Sequence, residues 1–213
     1  MSIIVMKFGG TSLADINCMN NVADRVIEQA KKVKNVVVVV SAMSGKTNQL
    51  VELVKSAEKF NDHSEYDAVV SSGEQISAGL LSIILKSKGF KARSWMGWQI
   101  PLKTDKKFSK ALIEEIDTKN LIKSLDAGEI AVITGFQGVN SQNRVTTLGR
   151  GGSDTSAVAI AAVLKAERCD IYTDVDGIYT TDPRVAPKAK KLNRISFEEM
   201  MEMSSQGAKV LQT

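Results

Sequence analysis

Glycines and hydroxyl residues surround one arginine and one aspartate in TLGRGGSDTSA, residues 147–157, which leads into the apolar run Ala157–Leu164. A run that forms a helix needs a fixed start, so the glycines read as a shaped loop rather than a flexible surface segment. Arg150 offers a planar fork of donors and Asp154 a carboxylate close behind it. KFGGTS, residues 7–12, is a second such stretch. There Gly9 and Gly10 let backbone N–H groups approach an anion at the head of a helix, with Lys7 beside them. The same residues also fit a plain strand-to-helix turn.

Three further stretches carry chemistry. SGKT, Ser44–Thr47, looks like the end of a Walker A loop, but G-x-x-x-x-G-K-[ST] needs a glycine where this chain has Val40. The loop can still present Ser41 and Thr47 to a ligand. TDVDGIYTTDPR, residues 173–184, puts Asp174, Asp176 and Gly177 at EF-hand positions, yet Tyr172 and Pro183 occupy the first and twelfth positions, where carboxylates are required. A strand end meeting a nucleotide, or a turn built on Asp–Gly and Asp–Pro, remains. Gly73–Glu74 sits inside an apolar helical pattern, costly without a reason. Glu74 is either a structural carboxylate satisfied by nearby hydroxyls or the partner of a ligand's ammonium group.

The elements that must position these residues alternate. Strands are expected at Ile3–Phe8, Val36–Val40, Ala92–Ile100, Ile130–Ile133, Arg144–Leu148 and Cys169–Val175. Helices are expected after a Ser12–Asp15 capping box, then at Asn48–Phe60, Ala68–Lys86, Lys110–Leu125, Ser153–Lys165 and Phe197–Val210. In the Ala68–Lys86 helix, Ile76, Leu80, Ile83 and Ile84 mark one side. Buried central strands alternating with helices imply an α/β fold, a three-layer α/β/α sandwich on a mainly parallel sheet. Ligands of such sheets bind at the C-terminal strand ends, where every glycine-rich stretch falls. With no repeat or linker, the 213 residues read as one domain.

Composition excludes several classes. No stretch approaches the ~20 consecutive apolar residues of a membrane span, and Lys7 interrupts any signal-peptide core, so the cytoplasm is the expected compartment. Cys18 and Cys169 are too few for a disulfide framework, and the single histidine, His63, lies in a polar stretch. His-based triads and His-rich metal sites therefore do not fit. The net charge of +4 comes from dispersed lysines without aromatic interleaving, a solvated surface rather than a nucleic-acid groove.

Taken together, KFGGTS, VVVSAMSGKT, SSGEQISA, TGFQG, TLGRGGSDTSA, YTDVDGIYTTDPR and GAKVL resemble, in order and from end to end, the aspartokinases of the amino acid kinase superfamily. The resemblance implies ATP-dependent phosphorylation of the β-carboxylate of L-aspartate. It implies catalytic roles for Lys7, on the transferring phosphoryl group, and for Asp154, which orients the lysines. Lys7, Phe8, Gly9, Gly10, Thr173, Asp174, Tyr179, Arg184, Lys209 and Val210 fall on the ATP-binding positions. Ser41, Thr47, Glu74, Arg150, Gly151, Gly152 and Ser153 fall on the aspartate pocket, with Arg150 on the α-carboxylate and Glu74 on the α-ammonium. Mg²⁺ is expected on the nucleotide phosphates without a protein cage.

Members of the family continue past GAKVL into further kinase residues and ACT regulatory domains, so a chain ending at Thr213 reads as a truncated form. Its full-length parent is expected to be a homo-oligomer. The alternatives are a folded nucleotide-binding fragment without turnover, or a kinase of another small carboxylate such as glutamate or acetylglutamate.

Overall fold

Two β-branched runs, flanked by helices whose apolar faces must be covered, set the architecture. The computed structural model describes residues 2–57, 62–175, 177–182 and 185–205. The chain runs β1 (Ile3–Phe8), α1 (Ile16–Ala30), β2 (Asn35–Val40), α2 (Lys46–Ala57), α3 (His63–Val70), α4 (Ser72–Ser87) and β3 (Ala92–Trp95). It continues through β4 (Leu102–Thr104), β5 (Ile113–Ile116), α5 (Lys119–Asp126), β6 (Ile130–Thr134), β7 (Gln137–Val139) and β8 (Val145–Thr147). Then come α6 (Gly152–Val163), β9 (Arg168–Tyr172) and α7 (Phe197–Ser205).

Five strands form the central sheet in the order β3-β6-β2-β1-β9, every neighbouring pair parallel. All residues of β1, β2 and β6 are buried, as strands covered on both faces must be. Alternation divides them between two cores. Ile4, Met6, Phe8, Val36, Val38 and Val40 pack with residues of α1 and α4. Ile3, Val5, Val37, Val39 and Ile133 pack with residues of α5 and α6. The three-layer sandwich expected from the sequence is therefore present. A second, mixed sheet has the order β5-β4-β7-β8.

Several expected elements differ. The helix expected over Lys110–Leu125 is strand β5 followed by the short helix α5, because Ile113 and Ile116 pair with β4. Strands β4 and β7 had no expectation at all; the extended run from Ala92 stops at Trp95, and turns carry the chain to β4. The Ala68–Lys86 helix is two helices joined at Ser71, and His63 opens the first, capped by the Asp62 side chain. Nor does α4 bury the Ile76/Ile83 side: those residues are exposed, while Gly73, Glu74, Ser77, Ala78 and Leu81 face inward. Small residues let that face lie close to the sheet. Asp15, not Ser12, caps α1, accepting from the Cys18 N–H at 2.8 Å, while Ser12 sits in a 3₁₀ turn. Strand β9 ends at Tyr172 rather than Val175, and α2 begins at Lys46; Phe60, the expected end of that helix, lies outside the described residues.

The run His63–Ser87 has a mean hydropathy of 1.4 in its most apolar window and, among the described residues, is the one helical run long and apolar enough to cross a membrane. Half of that window is buried, and Ala78, Leu81 and Leu85 belong to the sheet's core, the position of a core helix.

Contacts divide the chain into two compact units, Met1–Tyr172 and Thr173–Thr213. The second contains an isolated antiparallel bridge between Tyr179 and Lys191 and the helix α7. A capping box precedes α7: the Ser196 N–H donates to Glu199, and the Glu199 N–H donates to the Ser196 hydroxyl. The S-x-x-E spacing signals it in the sequence. The portion of the expected Phe197–Val210 helix beyond Ser205 lies outside the described residues.

Candidate active site

Lys7 is the last residue but one of β1, in register with Val39 and Ile171 at the C-terminal edge of the sheet. Its stem is buried, and its ammonium meets the Asp154 carboxylate at 2.6 Å. Asp154 lies in the first turn of α6, where the helix dipole favours a negative charge. Gly151 opens that helix with φ 74°, a left-handed conformation that suits glycine, and no side chain caps it. The Gly152 N–H donates to the Gly149 carbonyl and the Asp154 N–H to the Gly151 carbonyl, so the start of α6 beside the ion pair is tied by its own backbone.

The neighbouring loops converge on the same edge. A Cβ on Gly9 would lie 3.7 Å from the Lys7 ammonium nitrogen. The Gly9 N–H donates to the Tyr172 carbonyl, the Ser41 N–H to the Phe8 carbonyl and the Ser44 N–H to the Gly10 carbonyl. These bonds bring the ends of β9, β2 and the loop toward α2 against the glycine turn. Phe8 itself is buried and stacks on Tyr172, ring centroids 4.5 Å apart, so its side chain is core.

Glu74 sits one residue after Gly73, where a Cβ would come within 2.8 Å of the Ala42 side chain. That approach lets Glu74 Oε1 accept the Ala42 N–H at 3.0 Å. Its other oxygen is buried and has no partner among the described residues. Burial, only partly offset by the Ala42 N–H, pushes the carboxyl up from 4.5 to about 7. One open, desolvated acceptor near the end of β2 is a place for a donor that arrives with a ligand.

The chain as a whole has known counterparts. The sequence model of the amino acid kinase family matches residues 2–213. The chain belongs to the amino acid kinase family. It is 51% identical to the aspartokinase of Rickettsia felis over 214 aligned residues, covering 99% of this chain and 53% of that protein. The crystal structure of E. coli aspartokinase III in complex with aspartate and ADP superposes with a TM-score of 0.88 at 33% identity, covering 99% of this chain and 57% of that one. Aspartate kinase from Synechocystis gives 0.83 at 43% identity, covering 98% and 34%. The chain therefore spans about half the length of the curated relatives it matches.

Within this amino acid kinase fold, the remaining expected site residues are distributed as follows. Ser41 and Thr47 are half-buried at the end of β2 and in the first turn of α2. Val40, at the Walker glycine position, is buried in β2. Arg150 is exposed in the turn before α6, with Gly152 and Ser153 buried behind it. Thr173, Asp174 and Tyr179 lie in the second unit, where the Thr173 hydroxyl donates to Asp174 at 3.2 Å. Arg184, Lys209 and Val210 lie outside the described residues. Among the described residues, no three His, Cys, Asp or Glu side chains gather into a set that could hold a metal ion.

Two residues near the site had no sequence expectation. Cys169, on β9, has its thiol pushed up to about 11 by burial and then by Asp170 and Asp154, which makes it a poor nucleophile. Asp67, fully buried in α3, holds backbone and hydroxyl donors from two distant segments. Only the polar residue's place in the run SEYDAVV could have signalled it.

Proposed function

We propose that residues 1–213 form one amino acid kinase catalytic domain that transfers the γ-phosphoryl group of ATP to the β-carboxylate of L-aspartate. The product is 4-phospho-L-aspartate, and the step is the first toward lysine, threonine and methionine. The observation that carries this reading is the Lys7–Asp154 ion pair, a fixed cation at the C-terminal edge of the parallel sheet held by the first turn of α6. The similarity to aspartokinases across nearly all of this chain supports the choice of substrate.

The chemistry needs alignment and charge neutralisation more than proton transfer. An aspartate side chain has an ordinary pKa near ~3.9, so its carboxylate is already ionised at neutral pH and needs no general base. One carboxylate oxygen attacks the γ-phosphorus, the bond to the bridging oxygen of ADP breaks, and ADP leaves with the electron pair. Lys7 offsets the charge on the transferring group, and Asp154 fixes its ammonium in place. The Gly10 amide assists on the phosphates, with Phe8 and Gly9 as the close-packed backbone beside it, the Gly9 N–H being held by the Tyr172 carbonyl. Thr173, Asp174, Tyr179, Arg184, Lys209 and Val210 complete the nucleotide site in this reading.

Arg150 pairs with the α-carboxylate through its planar fork, and Gly151, Gly152 and Ser153 close around it. Glu74 offers its open oxygen to the α-ammonium, with Ser41 and Thr47 finishing the pocket. Mg²⁺ would be carried by the nucleotide phosphates and would neutralise their charge, since a hard cation that keeps several waters needs no protein cage. We place the enzyme in the cytoplasm, with small molecules rather than nucleic acid or membrane as partners, and expect a homo-oligomer.

The test is to trap acyl phosphate with hydroxylamine, using ATP, Mg²⁺ and L-aspartate in parallel with glutamate and N-acetylglutamate. Hydroxamate formed with aspartate alone is the expected result. Product from another acid would reassign the substrate, and saturable ATP binding without product from any acid would show a silent nucleotide-binding fragment.

A further inference from the structure

Asp67 is a fully buried carboxylate in α3, and none of the ion pairs among the described residues includes it. Four donors surround it instead. Oδ2 accepts the Ser109 N–H and the Thr147 N–H, each at 2.8 Å. Oδ1 accepts the Thr147 hydroxyl at 2.9 Å and the Ser109 hydroxyl at 3.2 Å. Those bonds use the full acceptor capacity of a carboxylate and leave it nothing to offer a ligand.

What the four bonds fix is the approach to Arg150. Thr147 ends β8 three residues before it, and the Thr147 carbonyl is also held, by the Ala111 N–H at 2.9 Å. Ser109 is held at φ 65°, a left-handed conformation that costs a residue with a Cβ and persists only where its surroundings impose it. The Ser109 carbonyl lies 3.1 Å from where a Cβ on Gly149 would be, and Gly149 itself turns at φ 77°. Asp67 thus ties α3, the segment before β5 and the end of β8 into one knot, and the next turn of chain presents the Arg150 guanidinium.

We propose that Asp67 is a positioning residue for aspartate recognition: it fixes the Gly149–Arg150–Gly151 turn so that Arg150 meets the α-carboxylate, without touching substrate. The inference rests on the proposed function. It predicts an effect confined to aspartate, because Lys7 and the glycine turn after β1 make no contact with the knot through these bonds.

The experiment is a double-mutant cycle on the 213-residue chain with Asp67→Asn and Arg150→Lys, reading aspartate and ATP dissociation constants by calorimetry. Asp67→Asn is expected to weaken aspartate binding roughly tenfold or more, as displacement of a positioned group does, and to leave ATP affinity unchanged. In the Arg150→Lys background the same change should add little. Unchanged aspartate affinity, equal weakening of both ligands, or full additivity with Arg150→Lys would each overturn the inference. Should Asp67→Asn fail to fold, Thr147→Val removes a single bond of the knot and must show the same aspartate-selective loss for the inference to stand. A wild-type chain that binds ATP but not aspartate would overturn the proposed substrate and this inference with it.

Discussion

Asp67 and Glu74 stand seven residues apart on one helical run, both are buried acids, and they have opposite hydrogen-bonding states. Asp67 has four donors on its two oxygens. Glu74 has one backbone donor on Oε1 and, among the described residues, no partner on Oε2. Burial therefore makes the first a structural tie and leaves the second poised, with its carboxyl raised to about 7. A buried carboxylate whose donors are all supplied by the chain belongs to the scaffold; one left half-satisfied at the end of a parallel strand is shaped for a ligand.

The largest effect that would break this contrast is on stability. Asp67→Ala strands the N–H and hydroxyl of Thr147 in the core and leaves those of half-buried Ser109 without their partner, a loss of roughly 2–4 kcal/mol when unmet buried donors cost one or more each. Glu74→Gln leaves one amide in place of a half-satisfied acid and should cost far less. Urea unfolding of both variants at pH 7 checks the order. Equal losses would mean that the two acids play the same structural role.

The second effect is its dependence on pH. The Glu74 carboxyl is raised from 4.5 to about 7, so between those values the folded chain keeps a proton that the unfolded chain has released. Stability from this group is fully present below pH 4.5 and falls as pH rises toward 7, by roughly 3 kcal/mol in all. Glu74→Gln should flatten that slope. Aspartate binding moves the other way: an ammonium group prefers the ionised acid, so wild-type affinity for aspartate should rise as pH passes 7. Parallel unfolding profiles for wild type and Glu74→Gln between pH 5 and 8 would rule this account out.

Much of this was legible in the sequence, and the missing part has a physical pattern. The continuous runs of β1 and β2 announce strands buried on both faces, and the glycines before Ala157 announce the start of α6. The Lys7–Asp154 pairing came only from family resemblance, since nothing local links residues so far apart in the chain. Strand β5 was hidden because Leu112, Ile113, Ile116 and Leu121 also fit a helical period, and pairing with β4 overrode it. The apolar side of α4 marked only part of its core face: Leu80 and Ile84 pack against the core, but so do small residues such as Ser77 and Ala78, which carry little apolar signal. The Asp67 knot was invisible, its donors arriving from 42 and 80 residues away.

The smallest effect sharpens the contrast by changing the scaffold alone. Helices α4, α5 and α6 end in the same pair of hydrogen bonds, as the N–H groups of Gly89 and Phe90, Gly128 and Glu129, and Lys165 and Ala166 reach back to carbonyls of the last turn. The left-handed position is glycine in two of them, at φ 86° and 77°, and Lys165 at φ 49° in the third. A side chain there costs about 1–2 kcal/mol, and replacing it with glycine returns about 0.4–1 kcal/mol of that through the freer unfolded chain. Lys165→Gly should therefore stabilise the protein by somewhat less than about 1 kcal/mol, a rise of about 2–4 °C at most in Tm. Gly89→Ala and Gly128→Ala should lose a similar amount through the backbone alone, because an added Cβ at either glycine meets nothing within 4 Å. None of the three should change aspartate affinity, whereas variants of Glu74 and Asp67 should. A Lys165→Gly protein with raised stability and altered aspartate binding would show that the end of α6 is coupled to its start, and that scaffold and site are not separable along this helix.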